Sequence, residues 1–169
     1  MQNKNNAVEL IKKFQQLFTN LNHKEIAERL VKLVIAKAVI SRAVLVVERD
    51  SHLCVEAIAS QQDSELLVNG VTTSLNRLNY LPHKHIHQVF DSGKPQSLDS
   101  AQIQLLGAMF TQKGCKACYL HPIVENDKTI AVFYMEAEQG LAQLTQSVNE
   151  LDSVWTFSSL LVRQVIDMW

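Results

Sequence analysis

The sequence has no strong excess of charge of either sign. Its 16 Lys and Arg residues nearly balance 17 Asp and Glu residues, and the formal net charge over 169 residues is -1. It contains no long basic run, which is the usual electrostatic signature of a nucleic-acid-binding surface. We therefore expect no nucleic-acid partner.

Long apolar segments and cysteines are also scarce. The most apolar stretch, residues 30–47, is interrupted by Lys32, Lys37 and Arg42, whereas a membrane-spanning helix needs about 20 mainly apolar residues. The N-terminal residues MQNKNNAVELIKKF carry charges without a long apolar stretch behind them and predict no signal peptide. Three cysteines without an export signal predict free thiols in a reducing cytoplasm. We expect a cytoplasmic protein with no membrane partner.

What the chain does contain is enough apolar residues for a core. Hydrophobic residues make up 47% and charged residues 20% of the sequence, as in soluble domains. Helical periodicity predicts one helix near the N-terminus and a second from about His23 to about Ile40. The period then changes to that of strands at residues 43–50 and 53–60, which a turn at Asp50-Ser51 joins into a hairpin.

The second half of the chain predicts a weaker strand at residues 66–74, a helix after Pro82, and a short strand and a short helix before residue 111. The runs KACYLHPIV and KTIAVFYMEAE flank a polar turn and predict a second hairpin, in the middle of a sheet. Residues 144–169 lack Pro and Gly and predict one long C-terminal helix. This order predicts an α+β fold with helices against an antiparallel sheet.

The first candidate for chemistry is the C-x-x-C pair of Cys115 and Cys118, with His121 three residues further on. Strand alternation places Cys118 and His121 on opposite faces, which disfavours a joint zinc site. A thioredoxin-like pair begins at a helix N-terminus, but Cys118 enters a predicted strand. We expect Cys118 to face the core or a pocket and Cys115 to lie exposed at the mouth of the strand. Thiol redox chemistry stays open as the alternative.

A second candidate is the histidine-rich HKHIH segment. His83 and His87 lie one helical turn apart, a spacing that can bind a metal. No acidic or thiol partner is predictable nearby, so a solvated helix start is the favoured interpretation. No Gly-rich phosphate loop and no Ser-His-Asp arrangement stands out either. We therefore expect no metal site, no cofactor and no catalytic residue.

Four segments, taken in order, resemble a GAF domain. Residues 30–60 are similar to the helix and first hairpin of that family, and residues 81–101 to its helix-to-strand segment, with the Gly93-x-Pro95 turn. Residues 116–138 carry the strongest likeness, a strand ending in Pro-Ile and a strand ending in Tyr-x-Glu. The last helix resembles the family's exit helix. The likeness spans roughly residues 23–168 and is closest to sensors attached to bacterial signalling kinases.

The resemblance implies a fold, a site and partners. The fold is a central antiparallel sheet of about six strands with helices on both sides, made of an N-terminal dimerisation helix (1–22), a sensor core (23–143) and a C-terminal signalling helix (144–169). A small-molecule pocket lies between one sheet face and the segments at 66–75 and 82–112. The partners are a second copy through the terminal helices, an unidentified small ligand and a covalently linked output domain such as a kinase. The implied ligand contacts are Thr73, Asp99, Met109, Phe110, Cys118 and Leu120.

The chain departs from the chemistry of some GAF proteins. Relatives that reduce free methionine sulfoxide use cysteines before and within the helix that follows the third strand, whereas this chain has none between Cys54 and Cys115. The resemblance therefore implies a regulatory domain of a signal-transduction protein and not an enzyme. Two alternatives stay open. One is a thiol redox sensor or reductase using Cys115 and Cys118, and the other is a dimerisation scaffold that binds no ligand.

Overall fold

The computed structural model describes residues 21–62, 65–111 and 114–168, together with Glu9, Lys12, Lys13 and Gln16. The predicted N-terminal dimerisation helix, residues 1–22, lies almost entirely outside the described residues, and so does Trp169.

Within the described residues, six strands form one sheet in the order β3-β2-β1-β6-β5-β4. Every neighbouring pair is antiparallel. Both predicted hairpins are confirmed, and each turns through two polar residues with positive φ, Asp50-Ser51 and Asn126-Asp127, which is the geometry that twisted hairpins favour. The strands are β1 (Ile40–Arg49), β2 (His52–Gln62), β3 (Glu65–Ser74), β4 (Gln96–Leu98), β5 (Ala117–Glu125) and β6 (Lys128–Ala137).

The helices begin and end at recognisable signals. A reciprocal pair of side-chain to backbone hydrogen bonds between Asn22 and Glu25 starts the helix His23–Ile35. Gly93, with φ 66°, ends the helix that follows Pro82, as the sequence predicts. The helices are α1 (His23–Ile35), α2 (His83–Ser92), α3 (Ser100–Leu106), α4 (Ala108–Thr111), α5 (Leu141–Glu150) and α6 (Asp152–Asp167), with a 3-10 turn at Leu75–Arg77.

Helices cover both faces of the sheet, as predicted. Leu45 and Phe133 face a core formed with α1, α5 and α6, whereas their neighbours Val44 and Tyr134 face a second core formed with α2, α3 and α4. Successive side chains of a strand point to opposite faces. Both central strands, β1 and β6, are therefore buried on two sides, which explains why they are almost continuously apolar.

The structure corrects two predicted helix lengths. The first described helix ends at Ile35, about five residues before the predicted end. The single C-terminal helix is in fact two helices that meet at Leu151. The indole nitrogen of Trp155 donates to the carbonyl of Val148, 2.9 Å away, and so satisfies a backbone acceptor at the end of α5. A break this short leaves the hydrophobic periodicity intact, and the sequence pattern therefore does not reveal it.

A buried ion pair fixes the end of α6 to the first hairpin. Glu56 is skipped in the register between β1 and β2 and forms a bulge. Its carboxylate accepts a 2.6 Å hydrogen bond from Nε of Arg49, and neither side chain is more than 5% exposed. Arg49 also donates to the carbonyls of Val165 and Ile166 at 2.8 and 3.1 Å. The guanidinium thus neutralises the negative end of α6.

His121 projects from β5 to the opposite face from Cys118, as predicted. Its ring stacks on Trp155 of α6 with the centroids 4.5 Å apart. Its Nδ1 is buried and has no hydrogen-bond partner among the described residues. Burial lowers the pKa of His121 from 6.5 to about 4, although the charge of Asp152 acts in the opposite direction. The neutral ring is therefore the form that the folded protein accommodates.

We expect stability to fall as the pH drops from about 6.5 towards 4, because the unfolded chain protonates His121 before the folded chain does. The two pKa values, 6.5 and about 4, correspond to a loss of at most about 3 kcal/mol. Urea unfolding at several pH values measures it. A His121→Phe variant keeps an aromatic ring against Trp155 and should show a flatter pH dependence over this range. Equal pH dependence in both proteins would contradict the assignment.

Candidate functional site

Three polar side chains lie in one row across the sheet. The register pairs Arg42 of β1 with Glu136 of β6, and Glu136 with Cys118 of β5. Residues directly opposite each other in antiparallel strands share a face, and this row lies on the face that α2, α3 and α4 cover. The sheet therefore places a guanidinium, a carboxylate and a thiol side by side.

Arg42 and Glu136 form an ion pair that is largely removed from solvent. A terminal nitrogen of Arg42 donates to Oε2 of Glu136, and the two side chains are 13% and 5% exposed. Arg42 also donates to the carbonyl of Tyr80, 3.4 Å away, and its guanidinium carbon lies 5.1 Å from the centre of the Tyr80 ring. Burial, the largest single effect, lowers the pKa of Arg42, but the interactions with Glu136 and Tyr134 together outweigh it, and the net pKa is raised. The guanidinium is therefore charged.

Tyr134 forms a hydrogen bond to the same carboxylate, that of Glu136. Its hydroxyl is buried and donates to Oε2 of Glu136 at 2.5 Å, so this oxygen accepts hydrogen bonds from both Arg42 and Tyr134. Burial, followed by the charge of Glu136, raises the pKa of Tyr134 well above its ordinary value. Tyr134 therefore keeps its proton and acts as a donor to Glu136.

The two cysteines of the C-x-x-C pair lie close to Tyr134. Their sulfur atoms are 3.6 Å apart, and the Cys118 sulfur is 3.4 Å from the Tyr134 hydroxyl. The expectation that Cys118 faces the core is confirmed, but the expectation that Cys115 is exposed is wrong, since only 7% of Cys115 is accessible. Cys115 precedes β5, and Gly114 has φ 73°. This turn, and not strand geometry, brings both sulfurs to one side.

The two thiols differ in acidity. The hydrogen bond with Cys118 lowers the pKa of Cys115, and burial opposes this effect. The same hydrogen bond, together with burial, raises the pKa of Cys118 far above its ordinary value. Cys115 is therefore the more acidic thiol of the pair, because the hydrogen bond between the two sulfurs favours its thiolate.

A pocket of about 540 Å³ opens beside the Arg42–Glu136 pair, between the sheet and the segments that carry Tyr80 and Met109. This volume lies within the range of about 300–1,000 Å³ that is typical of small-molecule sites. The wall combines one cation, two carboxylates, hydroxyls and apolar side chains. It is lined by Ser41, Arg42, Ile58, Ser60, Gln61, Tyr80, Met109, Glu136 and Glu138. We call it the Arg42 pocket.

No family model and no curated protein sequence matches the chain, but solved structures do. The GAF domain of a two-component sensor histidine kinase from Bacillus halodurans superposes with a TM-score of 0.55 at 14% identity, covering 83% of this chain and 93% of that chain. The nlh2 GAF domain of A. Aeolicus in an inactive state gives 0.60 at 11% identity, covering 95% and 97%. The chain has a GAF fold.

The same fold is shared by an enzyme. A type II free methionine-R-sulfoxide reductase from Thermoplasma acidophilum superposes with a TM-score of 0.58 at 13% identity, covering 85% of this chain and 96% of that chain. Identities this low establish the GAF fold and not the activity. Whether this chain regulates or catalyses therefore depends on the geometry of its own residues.

The six ligand contacts predicted from the sequence do not lie together in the structure. Met109 lines the Arg42 pocket and is 47% exposed. Phe110, Cys118 and Leu120 lie together in the core beneath it, each 5% exposed or less. Asp99 caps α3, accepting a hydrogen bond from the backbone of Gln102. Thr73 is half-buried and pairs with Val55 near the far side of the sheet. Ligand contact at these residues stays a prediction.

Sequence reasoning missed the charged floor of the pocket, although it left two signals. Arg42 interrupts the most apolar stretch of the chain, and Glu136 is the last residue of the Tyr-x-Glu motif that ends β6. Arg42 was interpreted only as a break in a possible membrane span, and Glu136 only as part of a family motif. Their pairing depends on the β1–β6 register, which joins residues 94 positions apart, and sequence periodicity does not specify that register.

The described part of the chain contains no group of three or more His, Cys, Asp or Glu residues that could hold a metal ion. His83 instead has its Nε2 2.6 Å from the carbonyl oxygen of Leu78 and so ties α2 to the preceding loop. None of the described helices combines the length and the hydropathy that a membrane span requires.

Proposed function

We propose that this chain is the sensory domain of a bacterial signal-transduction protein and that it binds a small ligand in the Arg42 pocket. The observation that carries the proposal is an ion pair, 13% and 5% exposed, at the edge of an open pocket in a GAF fold. Removing both charges from water costs several kcal/mol per ion in typical cases. In addition, Nε of Arg42 is buried without a hydrogen-bond partner among the described residues. A polar ligand that hydrogen-bonds to these groups from the pocket would offset this cost.

The pocket wall defines the chemistry of the ligand. Arg42 and the Ser and Tyr hydroxyls can hydrogen-bond to an oxygen-rich group, and Glu136 and Glu138 can accept from a donor group. Ile58 and Met109 offer apolar contact on the same wall. The ligand we propose is therefore a small polar metabolite that carries both hydrogen-bond donors and acceptors.

The route from the pocket to the output domain runs through the end of β6. Glu136 and Glu138 line the pocket, and α5 begins at Leu141, three residues after Glu138. A ligand that moves the end of β6 would therefore bias the packing of α5 and α6. Leu160 and Met168 of α6 are 55% and 48% exposed, which supports a second copy of the chain as partner for this helix. A kinase-like output domain and a cytoplasmic setting complete the proposal.

A thermal-shift screen of polar metabolites tests ligand binding. We expect at least one compound to raise Tm, because binding to the native state alone stabilises it. A Ser60→Phe variant places a ring in the pocket and should lose that shift, whereas Ser97→Phe, at an exposed position of β4, should keep it. A shift that survives in Ser60→Phe would place the site elsewhere. Silence across the library, with a dimer in light scattering, would favour the scaffold alternative.

A second candidate function, a thiol-dependent reductase, is favoured by the 3.6 Å separation of the Cys115 and Cys118 sulfurs. It requires a substrate to reach Cys115, of which 7% is exposed. Turnover of free methionine sulfoxide with dithiothreitol as reductant, lost in Cys115→Ser, would support it. Absence of turnover in a protein whose thiols are fully reduced would exclude this substrate.

A further inference from the structure

We propose that Cys115 and Cys118 form a reversible disulfide that acts as a modification site, and that its formation changes the hydrogen bonding of the Arg42 pocket. This regulation rests on the proposed function of that pocket. The two sulfurs are 3.6 Å apart, so they need to approach by only roughly 1.5 Å to reach the disulfide bond length. The turn at Gly114, just before Cys115, already brings both side chains to the same face of the sheet.

Cys115 and Cys118 differ in burial, and this difference gives them different roles. Cys115 keeps 7% of its surface exposed and Cys118 keeps none, so a small oxidant reaches Cys115 first. The hydrogen bond from Cys118 lowers the pKa of Cys115, which increases the fraction present as the nucleophilic thiolate. Cys118 is then the resolving thiol.

A peroxide supplies the oxidising equivalents. The Cys115 thiolate attacks one oxygen of hydrogen peroxide, the O–O bond breaks, and one proton is taken up, leaving Cys115 sulfenic acid and one water. Cys118 then attacks the sulfenic sulfur, the S–O bond breaks, and the hydroxyl leaves as a second water with the proton of Cys118. Two thiols are oxidised to one disulfide and one peroxide is reduced to two waters. A dithiol such as dithiothreitol reverses the step by exchange.

The disulfide affects the pocket through Tyr134. The Cys118 sulfur lies 3.4 Å from the hydroxyl oxygen of Tyr134, and that hydroxyl donates its single proton to Glu136. Disulfide formation draws the Cys118 sulfur towards Cys115 and so changes its contact with the Tyr134 oxygen. Glu136 accepts from Tyr134 and Arg42 on the same oxygen, so a change at Tyr134 alters the acceptor that Arg42 uses in the pocket.

The reduced full chain, treated with equimolar hydrogen peroxide, tests both parts. Peptide mapping should find a Cys115–Cys118 link and an intact mass lower by two hydrogen atoms, both reversed by dithiothreitol. The Nε–H resonance of Arg42, assigned with Arg42→Lys in ¹⁵N-labelled protein, should move on oxidation and return on reduction. Once a ligand is in hand, its Kd should differ about 5-fold or more between the two forms.

Matched cysteine variants separate the outcomes. Cys54→Ser should keep both the link and the Arg42 shift, because Cys54 is not part of the pair. Cys118→Ser should lose both, while its hydroxyl can still form a hydrogen bond with the Tyr134 hydroxyl in the reduced protein. No link, or over-oxidation of Cys115 alone, would overturn the disulfide; a link with an unmoved Arg42 resonance would overturn the regulation. Neither readout needs a ligand, so a failed metabolite screen beside a moving Arg42 resonance would reject the proposed function alone.

Discussion

Glu56→Leu should lower the free energy of unfolding by about 3–5 kcal/mol, because it leaves a buried guanidinium without its carboxylate. Glu56 is fully buried and its partner Arg49 is 5% exposed on the side chain. The hydrogen bonds from Arg49 to the carbonyls of Val165 and Ile166 persist, but they do not neutralise the charge. Urea unfolding followed by tryptophan fluorescence gives the value, and the end of α6 should lose hydrogen-exchange protection first.

Two controls test whether the loss of stability in Glu56→Leu comes from the buried ion pair. Lys128→Gln disrupts an exposed pair with Glu48, in which Lys128 is 73% exposed, and should change stability by less than about 1 kcal/mol. Arg49→Met combined with Glu56→Leu removes both charges and should recover part of the loss. If Glu56→Leu were as stable as Lys128→Gln, the buried pair would not hold α6 to the sheet.

The second large effect is expected at Glu136. Glu136→Leu removes the common acceptor of Arg42 and Tyr134, and we expect it to cost about 3 kcal/mol in the free energy of unfolding, since two buried donors lose their partner. The same substitution should abolish the ligand-induced rise in Tm. Denaturant unfolding and the thermal-shift assay with the identified ligand measure the two effects separately.

Glu136→Gln separates the charge from the hydrogen bond. Its amide oxygen still accepts from Tyr134, so the loss of stability should be smaller than in Glu136→Leu. Glu138→Gln changes an exposed carboxylate of the same pocket and should leave stability within about 0.5 kcal/mol. Equal stability of Glu136→Leu and Glu138→Gln would show that the buried network contributes nothing to the fold.

Local sequence signals were enough to predict most of the fold. The polar turns at Asp50-Ser51 and Asn126-Asp127 and the helix stop at Gly93 act within a few residues, and the structure has each of them. The alternation of β5 correctly separated Cys118 from His121. These features depend on backbone conformations and periodicities that single residues favour.

The candidate site was less accessible to the same reasoning. The row of Arg42, Glu136 and Cys118 exists because β6 lies between β1 and β5 in a particular register, and that register is set by packing over the whole sheet. The burial of Cys115 is associated with a turn outside the strand, and the break at Leu151 is accompanied by one side-chain hydrogen bond from Trp155. Neither the register between distant strands nor a single tertiary contact produces a periodic pattern in the sequence.

Ligand titration followed at the Nε–H resonance of Arg42 tests the central claim most directly. Nε of Arg42 is buried beside the pocket and has no partner among the described residues, so its signal reports on the floor of the pocket itself. We predict that a metabolite that raises Tm also moves this resonance saturably. The Kd from the resonance should equal the Kd from the thermal-shift titration. A metabolite that raises Tm and shifts other resonances while that of Arg42 stays unmoved would contradict binding in this pocket.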